Sequence, residues 1–382
     1  WIADSGHERV LVRNSDGSLA RVLPLERVTL DHAVDVTDVL PNTGGATAWL
    51  VDNDNDRVVR VDLVGGGFTS VGEQGPALGQ FQHPFMLAAG GDGEIFVTDV
   101  LNARVQVITS AGQPAETIGT YGAELGQLYR PTGIACDAKG DVYVVDTNNH
   151  RVQKFDGKLG QYKMKFGGRG NGEGQFSSPW GIAVDRVRGY VYVVDSANFR
   201  IQKFDETGEF VMSWGSFGSN DGQFYFPRGI AVDPTDGAAY VVDMGNHRVQ
   251  KFDTSTNVLP QLITKWGGGI GPGHASSPQA QEAGQLRSPW GIALDGRGDV
   301  YITDTGNQRV QKFDREGNFI TQWGGFGGGD AQFNFPYGIA VDARGSVFVV
   351  DSGNTRVQQF LPSDAGSERL QEEADTAVFA DK

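Results

Sequence analysis

Apolar residues in this chain come in short runs, rich in β-branched and aromatic side chains and closed by an acid. Val-Tyr-Val-Val-Asp and close variants end at Asp146, Asp195, Asp243, Asp304 and Asp351. A few residues on comes an alternating run, Arg-Val-Gln-Lys-Phe or a near copy, and both patterns predict strands. Two more strands complete the unit. One is Gly-Ile-Ala-Val-Asp or a variant, starting at Gly133, Gly181, Gly229, Gly291 and Gly338; the other ends in an aromatic residue and glycine, as in FVMSWG and FITQWG. Each unit therefore reads as four short antiparallel strands, named here a (GIAVD), b (VYVVD), c (RVQKF) and d (the run ending in aromatic-Gly).

The link between b and c carries the most chemistry. Its pattern Asp-x-x-Asn-x-Arg appears as Asp99/Asn102/Arg104, Asp146/Asn149/Arg151, Asp195/Asn198/Arg200, Asp243/Asn246/Arg248, Asp304/Asn307/Arg309 and Asp351/Asn354/Arg356. Two further copies begin at Asp52 and Asp4, with His7 replacing the Asn in the latter, and the leading Asp recurs at intervals of 48, 47, 47, 49, 48, 61 and 47 residues. An enzyme needs one active site, so a cluster repeated at fixed period is architectural. It is expected to be a tight turn, with Asp accepting bonds from backbone N–H groups two or three residues on. Asn or Gly would take the left-handed conformation, and Arg would pair with the Asp.

A four-stranded repeat of this length is the signature of a β-propeller blade. The pattern P-x-G-I-A-V-D, V-Y-V-x-D, N-x-R-V-Q-K-F resembles the NHL-repeat family over nearly the whole chain. The fold expected is all-β: a single β-propeller of four-stranded antiparallel NHL-type blades, seven in number, with six and eight as alternatives. A strand near residues 17–24 would supply d for the last unit. The propeller is expected over residues 1–361, with an incomplete first unit, a d–a loop insertion near 267–284, and an acidic C-terminal tail over 362–382. The start inside a unit suggests a larger chain or assembly.

Composition narrows the partners. Net charge is −15, which departs from family members that bind RNA on a basic face and disfavours nucleic acid and anionic membrane alike. No apolar run is long enough to insert in a membrane. The single cysteine, Cys136, excludes an internal disulfide, and with no glycosylation sequon or visible signal peptide it leans the localisation towards an intracellular compartment.

Function is sought where the repeat varies. The d–a and b–c loops share one face of a propeller. The d–a loops read Gly-Gln-Phe-x-x-Pro-x, and the residue after Pro differs from blade to blade: Phe85, Thr132, Trp180, Arg228, Trp290 and Tyr337. These should ring the mouth of the central channel, with Phe226 and Phe335 extending the patch. The varied b–c position adds Asp56, Ala103, His150, Phe199, His247, Gln308 and Thr355 to that face. Aromatics and Arg dominate binding hot spots, so Phe85, Trp180, Arg228, Trp290, Tyr337, Phe226, Phe335, His150, Phe199 and His247 are the candidate partner-binding residues. The competing reading is that these rings pack between blades and seal the channel.

No catalytic motif survives inspection. Asp52/Asp54/Asp56 imitate a calcium loop, but Arg57 and Leu63 stand where that loop needs Gly and Glu. The six histidines (His7, His32, His83, His150, His247, His274) lack metal-ligand spacing. No metal or cofactor is therefore expected. Ser367 could cap a helix in the tail. The first reading is a non-catalytic interaction scaffold that binds a protein or peptide partner through its aromatic face. The alternatives are a propeller hydrolase or lyase with a metal in the channel, and the recognition module of a ubiquitin ligase, whose zinc modules are not in this sequence.

Overall fold

A computed structural model describes residues 36–361 except 42–46, 53–55, 63–67, 91–93, 112, 257, 269–280, 329–330, 342–344, 346 and 352–355. It also describes strands Ala3–Asp4, Arg9–Asn14 and Leu19–Pro24. The protein is an all-β propeller. Units 36–71, 84–118, 131–167, 182–214, 227–267 and 292–324 each form a four-stranded antiparallel sheet in the order a-b-c-d. In unit 131–167, Val145 lies opposite Val152, and Val152 opposite Phe166.

Why the b strand is apolar at every position follows from the packing. Val142 and Val144 join a core with Phe96, Val105 and Ile118 of the preceding unit. Tyr143 and Val145, pointing the other way, join Phe176, Val191, Val193 and Phe204 of the next. Successive side chains of a strand point to opposite faces, and here both faces meet a neighbouring blade. Each such side chain contributes about 1.5–3 kcal/mol on burial. The aromatic that ends d does the same job further out. Phe166, Trp214, Trp266 and Trp323 lie against Phe204, Phe252, Phe313 and Phe360 of the following unit, with ring centroids 4.4, 5.6, 5.6 and 5.2 Å apart.

The a strands line the axis and touch one another in succession, and Val36–Pro41 lies beside both Pro84–Ala89 and Pro336–Val341. Strands Pro336–Val341, Val347–Asp351 and Arg356–Leu361 belong to a sheet of six strands that includes the three N-terminal ones. The expected closure differs in detail. Leu19–Pro24 pairs with Arg9–Asn14, and it is Arg9–Asn14 that meets the c strand Arg356–Leu361, in parallel, at Arg13↔Phe360 and Asn14↔Leu361. The tail 362–382 and residues 269–280 of the insertion lie outside the described residues.

Candidate functional site: the d–a face and its hub

The repeated Asp-Asn-Arg cluster holds the d–a loops in place. In unit 131–167 the Asp146 carboxylate accepts from the Tyr129 N–H at 2.6 Å, from Asn149 Nδ2, from Arg151 Nε at 2.7 Å and from Gln153 Nε2 at 3.2 Å. Arg151 then donates to the carbonyls of Ala123, Glu124 and Gln127, and Gln153 Oε1 accepts from the Gly126 N–H. All of those loop residues lie in the d–a connection that leads into the same unit.

The same network recurs in four other units. Asn102, Asn198, Asn246 and Asn307 donate through Nδ2 to Asp99, Asp195, Asp243 and Asp304 at 2.8–2.9 Å. Arg104, Arg200, Arg248 and Arg309 pair through Nε with the same carboxylates at 2.7–2.8 Å, as expected. Each arginine also reaches out of its turn. Arg104 donates to the carbonyls of Pro76, Ala77 and Gln80, and Arg200 to those of Gly172 and Gln175. Arg248 takes Ser219, Asn220 and Gln223, and Arg309 takes Gln281, Glu282 and Gln285. Asn102, Asn198 and Asn246 add the carbonyls of Gly75, Gly170 and Gly218. Burial raises each of the five carboxyls above its usual range, while their hydrogen bonds and the arginine oppose the shift. The side chains of Asp351, Asn354 and Arg356 lie outside the description.

The expectation of a self-contained turn is corrected on three points. The Asp bonds a backbone N–H 17 or 18 residues upstream rather than one just ahead. Asn102, Asn149, Asn198, Asn246 and Asn307 do not take the left-handed conformation; the residue after each does, with Ala103, His150, Phe199, His247 and Gln308 at φ of 54°, 55°, 54°, 59° and 57°. Arg104, Arg151, Arg200, Arg248 and Arg309 are clamps on a distant loop as well as partners of the Asp. The reason is geometric: the unit folds back so that its own d–a entry loop lies over the b–c turn, and the loop carbonyls there need donors.

That left-handed position has a second duty. The residue before each d–a proline is also left-handed, at φ between 44° and 59° for His83, Arg130, Ser178, Phe226, Ser288 and Phe335. Such a conformation is costly for non-glycine residues, and a following proline restricts it further. In four places a b–c side chain of the preceding unit accepts the N–H of this strained residue: Asp56 from His83, His150 Nδ1 from Ser178, His247 Nδ1 from Ser288, and Gln308 from Phe335. His150 and His247, sequence candidates for partner contact, thus latch one blade to the next, and His247 is buried. Asp56, the last acid of the calcium-like run, is committed in the same way.

A pH dependence follows. Burial first, and the nearby Arg287 second, hold His247 below the ordinary imidazole value, and burial with Arg169 does the same for His150. A group whose folded value is depressed contributes stability that is complete above the unfolded value near 6.5 and declines as pH falls through the folded one. His247→Gln keeps an acceptor, as Gln308 shows, and has no proton to gain. Its unfolding free energy, from denaturant titration, should therefore fall less than the wild type's between pH 7 and pH 5, by about 1 kcal/mol, the worth of one hydrogen bond. Equal losses in the two proteins would refute the latch.

At the axis, the residues after the prolines do come together. A cavity of about 110 Å3 is lined by Asp38, Phe85, Met86, Trp180, Arg228, Trp290 and the a-strand glycines and isoleucines. The Arg228 guanidinium lies over both indoles, at 4.3 Å from the Trp180 ring and 5.2 Å from Trp290. Phe85 meets Trp180 edge-on at 5.7 Å, and Tyr337 meets Trp290 at 4.9 Å. Each cation–π contact is worth about 0.5–2 kcal/mol. Burial lowers the affinity of Arg228 for its proton, and its Nε is buried with no hydrogen-bond partner among the described residues. Thr132, by contrast, is buried and bonds Thr147 at 2.6 Å, which makes it a scaffold residue.

Asp38 is not among the sequence candidates. It occupies the register position that Gly133, Gly181, Gly229, Gly291 and Gly338 hold in other a strands. Its carboxylate accepts from the N–H groups of Val39 and of Leu87 in the next unit, and burial pushes its pKa up to about 7 against those bonds. The signal is a polar residue in VTDVLP where GIAVD is the rule, in a strand that shares too few residues with the repeat to reveal its register.

Away from the axis, the d–a face is aromatic. Six of the seven exposed aromatic side chains among the described residues are in d–a loops: Tyr121, Tyr129, Phe217, Phe226, Phe326 and Phe335. Tyr121 packs edge-on against Tyr129 at 5.3 Å, and Phe199, Phe217, Tyr225 and Phe226 form one cluster with centroids 4.6–6.5 Å apart. Sequence reading missed Tyr121, Phe217 and Phe326, which share a loop position with Gln74 and Arg169; each bridges to the residue seven further on. The opposite face is charged. A cavity of about 320 Å3 there is lined by Asp137, Lys139, Arg186, Arg188 and Glu206 among others; Lys139 pairs with Glu206 at 2.5 Å, Arg188 with Asp185 at 3.1 Å, and Arg186 donates to the carbonyls of Cys136 and Ala89. Among the described residues no three His, Cys, Asp or Glu side chains are grouped so that they could hold a metal ion, and no helix is long and apolar enough to cross a membrane.

The family model described as NHL repeat matches residues 128–155, 176–204, 224–252, 286–313 and 333–360. Protein lin-41 of Caenorhabditis elegans is 54% identical over 39 residues, 10% of this chain and 3% of that protein. Protein brain tumor of Drosophila melanogaster is 43% identical over 49 residues, 13% of this chain and 5% of that protein. The chain thus spans only a small part of these relatives' length. Among solved structures, a streptogramin B lyase superposes with a TM-score of 0.63 at 14% identity, covering 94% of this chain and 96% of its own. Hydrazine synthase of Kuenenia stuttgartiensis does so at 0.65 and 14%, covering 88% and 98%. At such identity the likeness is one of fold.

Proposed function

We propose that this chain, an NHL-repeat propeller, is a non-catalytic scaffold that binds a protein or peptide partner through its d–a/b–c face. We also propose that its ring counts seven blades, the seventh built on Pro336–Leu361. The single observation that carries the binding reading is the segregation of exposed aromatics onto the d–a loops. Exposed rings in contiguous clusters are unusual on a monomer, and aromatic side chains give large contact area at low entropic cost. The buried Asp-Asn-Arg-Gln networks favour the same reading, because they fix each loop before a partner arrives and so reduce the ordering cost of association. Contacts are assigned to Phe226, Phe335, Phe217 and Phe326 at the rim and to Phe85, Trp180, Arg228, Trp290 and Tyr337 at the hub. Phe199 supports the rim cluster from beneath.

A pull-down from native extract tests the reading, comparing wild type with Trp180→Ala/Trp290→Ala/Tyr337→Ala and with Phe217→Ala/Phe226→Ala, each first shown to fold by thermal melting. A partner held by wild type should be lost or weakened at least tenfold by both variants, since each truncated hot-spot residue costs about 2 kcal/mol. Undiminished capture by both would place the binding surface elsewhere.

A further inference from the structure

We infer that the hub cavity is a carboxylate site, in which Arg228 takes the acidic side chain of a peptide laid across the d–a face. The peptide source rests on the function proposed above; the carboxylate chemistry rests on the cavity alone. Two independent observations meet here: a cavity walled by two indoles, and a buried guanidinium nitrogen with nothing to donate to.

The arginines of the repeated turn are fully engaged. Arg151, for example, donates to one carboxylate and three carbonyls. Arg228 makes no hydrogen bond or ion pair with any described residue, and no other residue after a d–a proline is charged. A guanidinium cannot shed its proton at any ordinary pH, and a desolvated cation is stabilised by a counter-charge. The indoles of Trp180 and Trp290 lie against the cation at 4.3 and 5.2 Å and offer no conventional acceptor, so the N–H donors along the edge of its plane remain to be met. Edge-on donors in a fixed fork are the geometry that a carboxylate meets with two parallel bonds. The cavity, about 110 Å3, has the volume of about four waters. It has room for a carboxylate with one or two methylenes. A nucleic acid is disfavoured because a net charge of −15 repels a chain of phosphates at long range, whereas one acidic side chain among apolar contacts meets mainly the local field.

The test uses propionate, which reproduces a glutamate side chain, and propionamide as its neutral counterpart, each titrated into the folded protein while the indole N–H signals of Trp180 and Trp290 are followed by NMR. Propionate should shift both signals saturably, and propionamide should shift neither. Arg228→Lys should bind propionate at least tenfold more weakly, and Arg228→Met not at all. Arg228→Met gives up two cation–π contacts but also removes an unpaired buried charge, so its melting point should stay close to that of wild type; a large loss of stability would mean that the cation serves the scaffold and would overturn the inference. A wild type that ignores propionate would overturn the site, whatever the pull-down shows. If propionate binds but Arg228→Met still captures the partner undiminished, the peptide source is wrong and the site serves a free small carboxylate.

Discussion

Asp146→Ala should destabilise the protein by about 3–5 kcal/mol, the loss seen when one member of a buried ion pair is removed. The carboxylate is fully buried and is the common acceptor for Tyr129, Asn149, Arg151 and Gln153. Without it, four donors lose a partner at once, one of them a guanidinium that is itself buried. The damage should not stay local. Arg151 and Gln153 hold the carbonyls of Ala123, Glu124 and Gln127, so the loop carrying Tyr121 and Tyr129 loosens with them. Equilibrium denaturation measures the first effect, and protease cleavage within 119–130 the second. Asp146→Ala/Arg151→Met, which removes the charge along with its partner, should recover a substantial part of the loss. A single variant within 1 kcal/mol of wild type would show that the network does not hold the loop.

This network also shows how far the sequence could be read. A motif repeated at a fixed period announces a scaffold element, and the a-b-c-d strand assignment survives wherever the repeat is regular. What repetition conceals is reach. Nothing in DTNNHRVQKF says that Asp146 bonds Tyr129, or that Arg248 in its own copy holds Ser219, because the d–a loop comes near only after the unit has folded back on itself. The varied b–c residues mislead for a related reason. Variation reads as freedom to bind, yet Asp56, His150, His247 and Gln308 are unlike residues that share one acceptor role towards a strained N–H in the next blade. The hub was more legible. Phe85, Trp180, Arg228, Trp290 and Tyr337 are placed together by their shared position after proline, which the register of the a strands preserves. Asp38 escaped because its strand lacks the Pro-x-Gly signature that marks the others.

Gly181→Ala tests the link between that register and the hub. A Cβ built on Gly181 falls 2.4 Å from the Arg228 carbonyl oxygen and 3.2 Å from a methyl group of Val194. Gly133 and Gly291 meet the carbonyls of Trp180 and Tyr337 at the same 2.4 Å. The sheet itself tolerates a side chain here, since Met86 and Asp38 hold this register in other units. The neighbouring blade's backbone is what forbids one. Overpacking of this kind costs about 1–3 kcal/mol, and the upper part of that range is expected because backbone, not a flexible side chain, must yield. Gly168→Ala is the control, as its Cβ would meet nothing within 4 Å. The displaced group is the carbonyl of Arg228 itself, so Gly181→Ala should shift the Trp180 and Trp290 indole signals even where the protein stays folded. A destabilised variant with unmoved indole signals would mean that the hub is held by its aromatic stack rather than by the spacing of the a strands.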